Sequence, residues 1–186
     1  MSVNVSNLVQ GPATLYIGAF GAAEPTSATA TPASGVWTDL GGTLGGAEVS
    51  IAQEYKAMEV DQIVDVPGSR LVSRAFTIKT QLAEPTLQNL FYALNDGTYA
   101  TGASDNTYEP NFQSSATQPT YRAILLDGWA PNGAGKKRKL IARRVLSTDA
   151  VVFSYKKDDQ SVFSVTFTAH YVDSSTGSFK VIDQAN

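Results

Sequence analysis

The stretch EYKAMEVDQIVDVPGSRLVSRAFTIKTQLAE, residues 54–84, decides the fold of this chain. On both sides of Pro67-Gly68 its side chains change character at every second residue, which is the pattern of a β-strand. Proline cannot donate to a strand ladder and glycine accepts unusual dihedral angles, so this dipeptide marks an interruption between two strands. The stretch therefore predicts a long β-hairpin, which we place at residues 46–83.

The alternation assigns the side chains of both arms to two faces. One face is apolar and is expected to pack on the core of the chain; its members are Val49, Ile51, Tyr55, Val72, Phe76, Ile78 and Leu82. The other face is polar; its members are Glu48, Ser50, Glu54, Ser73, Thr77, Lys79 and Gln81. Because typical strands have only about 5–6 residues, part of this hairpin is expected to extend beyond a small sandwich.

One amphipathic helix is predicted directly after the hairpin, at residues 85–94. Its apolar residues follow the i, i+3, i+4, i+7 spacing of one helix face and are Leu87, Leu90, Phe91 and Leu94. Glu84-Pro85 suits the start of a helix, and Asn95-Asp96-Gly97 suits its end. A helix this short is not stable alone, so we expect the four apolar side chains to pack on a sheet.

The remaining segments add strands and two long loops. Strands are predicted at 13–19, within VWTDLGGTLGG at 36–46, and at 121–129, 138–146, 149–156 and 161–172. Residues 21–35 and 96–119 are rich in small and polar residues and are predicted to be exposed loops. The 186 residues suit one domain, and the expected fold is mainly β: a sandwich or open barrel with one flanking α-helix and a long hairpin extension.

The last predicted strand, 161–172, alternates as clearly as the hairpin does. The side chains expected to be buried are Phe163, Val165, Phe167 and Tyr171. The side chains expected on the polar face are Ser164, Thr166, Thr168 and His170. This strand therefore has the same two-faced character as the return arm of the hairpin.

Composition narrows the class of protein. The chain has no cysteine, which excludes disulfide bonds and thiolate metal sites. No apolar run approaches the ~20 residues of a membrane span. The N-terminal sequence MSVNVSNLVQGP lacks the charged and apolar regions of a secretory signal, so we expect the chain to fold in a cytoplasm.

The net charge of −3 is distributed unevenly along the chain. Six of the 14 Lys and Arg residues form a short basic strip: Lys136, Lys137, Arg138, Lys139, Arg143 and Arg144. The rest of the chain is acidic, and this asymmetry indicates charge-directed self-association rather than a broad nucleic-acid-binding face. The KKRK run alone is also compatible with phosphate contacts or with a solvated hairpin.

No segment carries a convincing catalytic or metal-binding motif. The single histidine, His170, is not accompanied by a G-x-S-x-G motif, and we expect it on a polar face or between subunits. The hairpin acids Glu54, Glu59, Asp61 and Asp65 do not form a calcium loop, and a glycosidase pair would need two carboxylates facing across a cleft. We therefore predict a protein that is not an enzyme and uses no cofactor.

The order of five segments resembles one protein family. The segments are LYIG, WTDLGGTLGG, the acidic hairpin around DQIVDVPGSRL, the return strand FTIKTQLAE and the helix PTLQNLFYALN. In this order the chain resembles the tail tube protein (major tail protein) of long-tailed bacteriophages. The resemblance is best from Leu15 to Leu94 and rests on strand pattern from Tyr121 onward, while residues 96–119 look like an insertion.

The resemblance implies a structural virion protein. Its copies would assemble into hexameric rings, and the rings would stack into the tail tube through which the genome leaves the capsid. Implied partners are further copies of the chain, the tail tip, tape-measure and tail terminator proteins, and double-stranded DNA that passes without specific binding. The implied location is the virion tail, after assembly in the host cytoplasm.

Physical arguments support a barrel shared between chains. An eight-stranded barrel has room only for side chains, whereas six chains with about four strands each would leave a lumen. The candidate lumen-facing residues are Glu48, Ser50, Ser73, Thr77, Lys79, Gln81, Ser164, Thr166 and Thr168. The candidate hairpin contacts to the next subunit or ring are Glu54, Lys56, Glu59, Asp61, Asp65, Pro67 and Arg70. The basic strip is their predicted electrostatic partner.

Two other functions remain open on the sequence alone. A tail terminator, collar or decoration protein would share the β fold but form one ring without polymerising. A carbohydrate-binding or hydrolytic β-sandwich would use the Tyr-, Asn- and Ser-rich residues 96–119 as its binding loop. Hollow filaments of the purified protein would distinguish a tube subunit from both.

Overall fold

A computed structural model describes residues 3–112, 114–131, 133–152 and 155–185. These residues form a mainly β fold, as the sequence predicts, with a short 3-10 helix at Val5–Asn7 and an α-helix, α1, at Leu87–Ala93. The strands are β1 (Thr14–Ala19), β2 (Trp37–Asp39), β3 (Thr43–Met58), β4 (Gly68–Leu82), β5 (Thr98–Thr101), β6 (Asn106–Glu109), β7 (Arg122–Trp129), β8 (Lys137–Ser147), β9 (Phe163–Ala169) and β10 (Phe179–Asp183).

Eight of these strands form one antiparallel sheet that divides at β8. The sheet runs β2-β1-β7-β8-β9-β4-β3, and β10 also pairs with β8. On the side of β8 away from β7, residues 138–142 pair with β10 and residues 145–147 pair with β9. The branch through β9 continues to the long hairpin formed by β4 and β3, while β5 and β6 form a separate small hairpin beside α1.

The core lies between two parts of the curved sheet. Leu15 and Ile124, from β1 and β7, belong to the same buried cluster as Phe167 from β9. Phe76 of β4 stacks on Phe179 of β10 with 4.5 Å between ring centroids, although these strands are not neighbours in the sheet. The sheet therefore curls so that its two branches enclose apolar side chains, as in a sandwich or open barrel.

A second apolar cluster lies on the other face of the same central strands. Successive residues of a strand point to opposite faces, so Leu125 and Ile141 face away from the main core. They are fully buried against Trp37, whose indole Nε1 donates to the carbonyl of Ala23 at 2.9 Å. The segment 21–35, predicted to be an exposed loop, therefore contributes packing at its start.

Helix α1 lies where the sequence predicts a helix. Thr86 caps its N-terminus, because its side-chain oxygen accepts a hydrogen bond from the Asn89 N–H at 3.1 Å. The helix ends at Ala93, and Asn95 follows with a φ of 60°, a left-handed conformation that asparagine tolerates. The predicted start and end are correct to within two residues.

The buried face of α1 differs from the predicted stripe. Asn89 is buried because its side-chain amide donates to the carbonyls of Leu40 and Glu84, and this anchor turns Asn89 and Ala93 inward. Of the predicted stripe, Leu90 packs on the core and Phe91 is half-buried, but Leu87 and Leu94 are 37% and 41% exposed. The expectation that all four pack on the sheet does not hold for Leu87 and Leu94.

The long hairpin predicted from the sequence is present. Its strands β3 and β4 pair from Thr43 opposite Leu82 to Met58 opposite Gly68, with register shifts after Leu44 and Glu54. Residues 59–67 connect the two strands, so the chain reverses through a broad tip that ends at the predicted Pro67-Gly68 break.

Only the inner part of the predicted apolar face is buried. Strand β9 pairs with β4 from Thr77 to Leu82, and the buried side chains of β4 begin at Phe76. Farther out, Ile51, Tyr55 and Val72 are 48%, 58% and 51% exposed, contrary to the expectation that they pack on the core. They project past the part of the hairpin that β9 supports.

Other segments also differ from the sequence prediction. The segment 149–156 was predicted to be a strand, but its described residues form only an isolated bridge from Lys156 to Asp159, and Phe153 and Ser154 lie outside the described residues. Strand β9 ends at Ala169, so Tyr171 is exposed rather than buried. The predicted loop 96–119 contains β5 and β6, and the short strand β10 was not predicted.

Candidate assembly surface

The nine side chains predicted to face a lumen lie together on one face of β3, β4 and β9. The directly opposed residues among them are Glu48–Lys79–Thr166, Ser50–Thr77–Thr168 and Gln81–Ser164, while Ser73 stands opposite Glu54, which was predicted as a hairpin contact. Residues at alternate positions of a strand share a face, so these rows form one continuous surface, which we call the polar face. Residues separated by more than 100 positions in the sequence thus contribute to a single surface.

The reverse side of the same strands belongs to the core. The fully or nearly fully buried residues there are Phe76, Ile78, Leu82, Phe163, Val165 and Phe167. Because one side is fixed by this packing, a one-residue slip of either strand would bury the polar side chains. The core therefore holds the polar face in place and directs it outward.

Hydrogen bonds between hydroxyls and carboxylates organise the polar face. Thr166 donates to Asp149 at 2.5 Å, and the hydroxyls of Thr148 and Thr168 lie 2.9 Å apart. Glu48 stands opposite Lys79, so one negative charge is matched with one positive charge across the strands. The result is a polar surface of low net charge rather than a basic patch.

The outer half of the hairpin, residues 51–58 with 68–75, lacks the support that the inner half has. In the described ladders β3 pairs only with β4, and β4 has no second neighbour before Thr77. Residues 51–67 are all exposed. The outer half therefore presents unpaired strand edges together with apolar side chains, a combination that favours pairing with another chain.

The tip of the hairpin, residues 59–67, is both apolar and acidic. Val60, Ile63, Val64 and Val66 are exposed and alternate with the acids Glu59, Asp61 and Asp65. Among the described residues, none of these three acids forms an ion pair or a side-chain hydrogen bond. The predicted hairpin contacts Glu54, Lys56, Glu59, Asp61, Asp65, Pro67 and Arg70 are all exposed.

Three of the six cations of the basic strip are paired with acids within the chain. Lys139 is buried and its ammonium lies 2.5 Å from a carboxylate oxygen of Asp127. Arg138 forms two hydrogen bonds of 2.6 Å with Asp183. Arg143 binds Glu24 through two guanidinium nitrogens.

The other three cations of the strip also have contacts within the chain. Lys137 lies 4.0 Å above the Trp129 ring, and Arg144 lies 3.8 Å above the Tyr121 ring. Lys136 donates to the carbonyl of Ala185 at 2.8 Å. The prediction that this strip meets the hairpin of another subunit cannot apply to Lys139, because its side chain is inaccessible. For Arg138 and Arg143 the prediction loses support, because these cations are already paired with Asp183 and Glu24.

The ion pairs of the strip keep their carboxylates charged. The hydrogen bond from Arg143 lowers the pKa of Glu24 below its ordinary value of 4.5, against the opposing effect of partial burial. The hydrogen bond from Arg138 likewise lowers the pKa of Asp183. Both carboxylates are therefore ionised at neutral pH, and both bonds act as internal ties between distant parts of the chain.

The single histidine, His170, packs against a neighbouring aromatic ring. The ring of His170 packs edge-on against Tyr121 at 5.5 Å, and its backbone N–H donates to the carbonyl of Arg144. Within the described ranges no group of three or more acidic or histidine side chains is arranged to hold a metal ion. In the same ranges no helix is long and apolar enough to span a membrane.

Sequence reasoning missed the apolar part of the exposed hairpin. The alternation predicts that Ile51 and Tyr55 pack on the core, and it makes no prediction for Leu71. All three are exposed on the outer half. The strand length predicts that part of the hairpin extends past a small core, but the alternation alone does not tell which apolar side chains lie in that part. The exposed apolar residues and the acidic tip lie at the same end of the hairpin, and such a group of exposed apolar side chains marks an interaction surface.

Comparison with known proteins identifies a family. A sequence model of the family described as phage tail tube protein matches residues 1–186, which is the whole chain. Comparison with individually curated proteins gave no match. The chain therefore belongs to the phage tail tube protein family.

Proposed function

We propose that the protein is the building block of a phage tail tube whose copies form rings, about six to a ring, that stack around a water-filled lumen. The lumen is the path by which double-stranded DNA leaves the virion. The observation that carries this proposal is the polar face on β3, β4 and β9, which has a complete core behind it and an unpaired strand edge beside it.

Barrel geometry supports the sharing of strands between copies. One chain cannot enclose a duplex, because a barrel of eight strands is filled by its own side chains. If about six copies each supplied the three strands of the polar face and one neighbour, the closed barrel would fall in the size range that keeps an aqueous channel. Closure would also remove the free edge of β3, which is otherwise an aggregation hazard.

The chemistry of the polar face suits the passage of DNA. A lining rich in unpaired Lys and Arg would hold the phosphates and slow movement. Here Lys79 stands opposite Glu48, and the neighbouring rows carry hydroxyl and amide groups. Such a lining offers water-like hydrogen bonding without a net positive charge, so DNA can slide through it.

The same proposal assigns further partners and a location. The lowest ring would meet the tail tip, the highest would meet the tail terminator, and the tape-measure protein would occupy the lumen before DNA does. Family membership supports a place in the virion tail. Assembly would take place in the host cytoplasm.

Negative-stain electron microscopy of the concentrated, purified chain tests this function. We expect hollow filaments of uniform width. Ile51→Arg, which places a charge on the outer half of the hairpin, should abolish them, whereas Val152→Arg, at an exposed valine outside the hairpin, should not. Single rings that never stack would favour a terminator or collar role, and persistent monomers at all concentrations would contradict the proposal.

A further inference from the structure

Two cations face each other on the outer half of the hairpin. Lys56 of β3 is the direct cross-strand partner of Arg70 of β4. Both side chains are exposed, and neither forms an ion pair or a hydrogen bond with any side chain in the described ranges. Like charges directly opposite each other destabilise an antiparallel pair, so this arrangement needs a reason.

The other charged positions of the sheet follow the opposite rule. Three further pairs of directly opposed charged residues occur in the described ladders, and each joins an acid to a base: Glu48–Lys79, Asp127–Lys139 and Arg138–Asp183. The like-charged pair is therefore an exception in a chain that otherwise matches its charges across strands. The exception occurs where the hairpin leaves its own core.

The position of the pair indicates that an anion completes it. Lys56 lies two residues beyond Glu54 in the same strand, so both share the polar face. Opposed side chains start about 4.5–5.5 Å apart, which allows one carboxylate to contact both cations. The planar guanidinium of Arg70 would bind both carboxylate oxygens, and the ammonium of Lys56 would add a point charge.

We propose that Lys56 and Arg70 form a clamp that binds a carboxylate from the hairpin tip of a neighbouring copy. This inference rests on the proposed assembly into rings. The candidate carboxylates are Glu59, Asp61 and Asp65, which are exposed and unpaired within the described part of the chain. The acidic tip thus finds its partner on the next hairpin rather than on the basic strip, where three of the six cations are already paired with acids of the same chain.

The clamp fits both the symmetry and the lumen of a ring. A tip-to-clamp contact joins two different surfaces of identical chains, so it repeats around a rotation axis and closes when the ring is complete. The bound carboxylate also neutralises two cations next to the polar face. Without it, the pair would attract DNA phosphates and impede their passage.

One substitution separates the role of the clamp in assembly from its effect on the free chain. Lys56→Glu converts the like pair into an acid–base pair with Arg70, as at the three other positions. We expect the melting temperature of the dilute monomer to stay equal or to rise by about 1–3 °C. We expect the concentration needed for filament formation to rise at least tenfold, measured by light scattering and electron microscopy. Lys157→Glu makes the same change of charge at an exposed site outside the hairpin and should alter neither quantity.

Charge reversal on both sides identifies the partner. Two charge-reversed variants should each fail to form filaments. One carries Lys56→Glu with Arg70→Glu, and the other carries Glu59→Lys, Asp61→Lys and Asp65→Lys. Mixing the two variants should restore mixed filaments.

The clamp would be overturned by normal filament formation of Lys56→Glu, by a lowered melting temperature of that variant, or by no recovery of filaments on mixing. If filaments of the Lys56→Glu, Arg70→Glu variant form normally and lose only affinity for duplex DNA, the clamp is overturned and the pair is a DNA contact. If the unmodified chain forms neither rings nor filaments, the proposed function fails and the clamp fails with it.

Discussion

The inner and outer halves of the long hairpin share one β3–β4 ladder and one alternating pattern, yet they differ in what packs against that ladder. The inner half is covered by β9 on one edge and by the core on one face, and Phe76, Ile78 and Leu82 are fully buried there. The outer half has neither, and its apolar side chains are exposed. Alternation thus specifies a strand, while burial depends on what else reaches it. The inner half belongs to the fold of the chain, and we propose that the outer half serves its assembly.

The test with the largest expected effect on stability removes a side chain from the inner half. Phe76→Ala should lower the free energy of unfolding by about 3–5 kcal/mol, because it leaves a cavity in the core. It also removes the stacking partner of Phe179, which lies 4.5 Å away. Denaturant unfolding of the monomer measures the loss. Phe76→Leu, which keeps most of the volume, should cost about 1–2 kcal/mol. A loss below about 1 kcal/mol for Phe76→Ala would show that the inner half is not part of the core.

A second test compares matched charges that differ in burial. Asp127→Ala should cost about 3 kcal/mol, because it leaves the buried ammonium of Lys139 without its partner. Asp183→Ala removes the partner of Arg138 in an adjacent, more exposed pair and should cost about 0–1 kcal/mol. Denaturant unfolding at neutral pH compares the two variants. Equal losses would mean that burial does not decide the value of these cross-strand pairs.

The inner half of the hairpin could be predicted from sequence for a clear physical reason. Every second side chain from Phe76 to Leu82 is buried, and all of these are apolar except Thr80, whose hydroxyl donates to the carbonyl of Gly46. Burial of this face fixes the strand register. The helix position was predictable in the same way, from spacing and capping signals. The buried face of the helix was not, because it depends on hydrogen bonds from Asn89 to the carbonyls of Leu40 and Glu84.

The ion-pair partners of the basic strip could not be predicted from the sequence. Arg143 meets Glu24 across 119 positions, and Arg138 meets Asp183 across 45. Such pairings depend on which strands become neighbours, and no local pattern contains that information. The exposed state of Ile51 and Tyr55 has the same origin, because it depends on where β9 ends. Sequence periodicity therefore predicted the faces of the strands better than it predicted what covers them.

A third test uses pH on a carboxylate that is satisfied within the chain. Since hydrogen bonding to Arg143 lowers the pKa of Glu24 below 4.5, the stabilisation is fully present above pH 4.5 and is lost as pH falls through the lowered value. Glu24→Gln should therefore reduce the free energy of unfolding by about 1 kcal/mol at pH 6–7, and the difference from the unmodified chain should shrink below pH 4.5. Denaturant unfolding between pH 7 and pH 3 checks this.

The matched control for that test lies at the hairpin tip. Asp65→Asn removes an exposed carboxylate without an ion-pair partner in the described chain, so the stability of the monomer should change little at any pH in this range. A pH-dependent loss for Asp65→Asn equal to that for Glu24→Gln would mean that the tip acids are already engaged within the monomer. The tip carboxylates would then have partners within their own chain, and the contrast between paired charges in the core region and unpaired charges on the outer hairpin would fail.

The smallest expected effect on the monomer is the most informative about the outer half. Tyr55 and Leu71 are direct cross-strand partners and both are exposed, so Tyr55→Ala should change the free energy of unfolding by no more than about 0.5 kcal/mol. The same change removes apolar area that a neighbouring copy would cover, and assembly repeats that loss at every subunit. We therefore expect the filament-forming concentration to rise about tenfold or more while the monomer unfolds normally. Phe76→Ala should show the reverse order of effects, with the monomer affected first. If Tyr55→Ala instead destabilised the monomer by 2 kcal/mol or more, the outer half would be held by contacts within its own chain, and assembly would not be needed to account for its exposed apolar side chains.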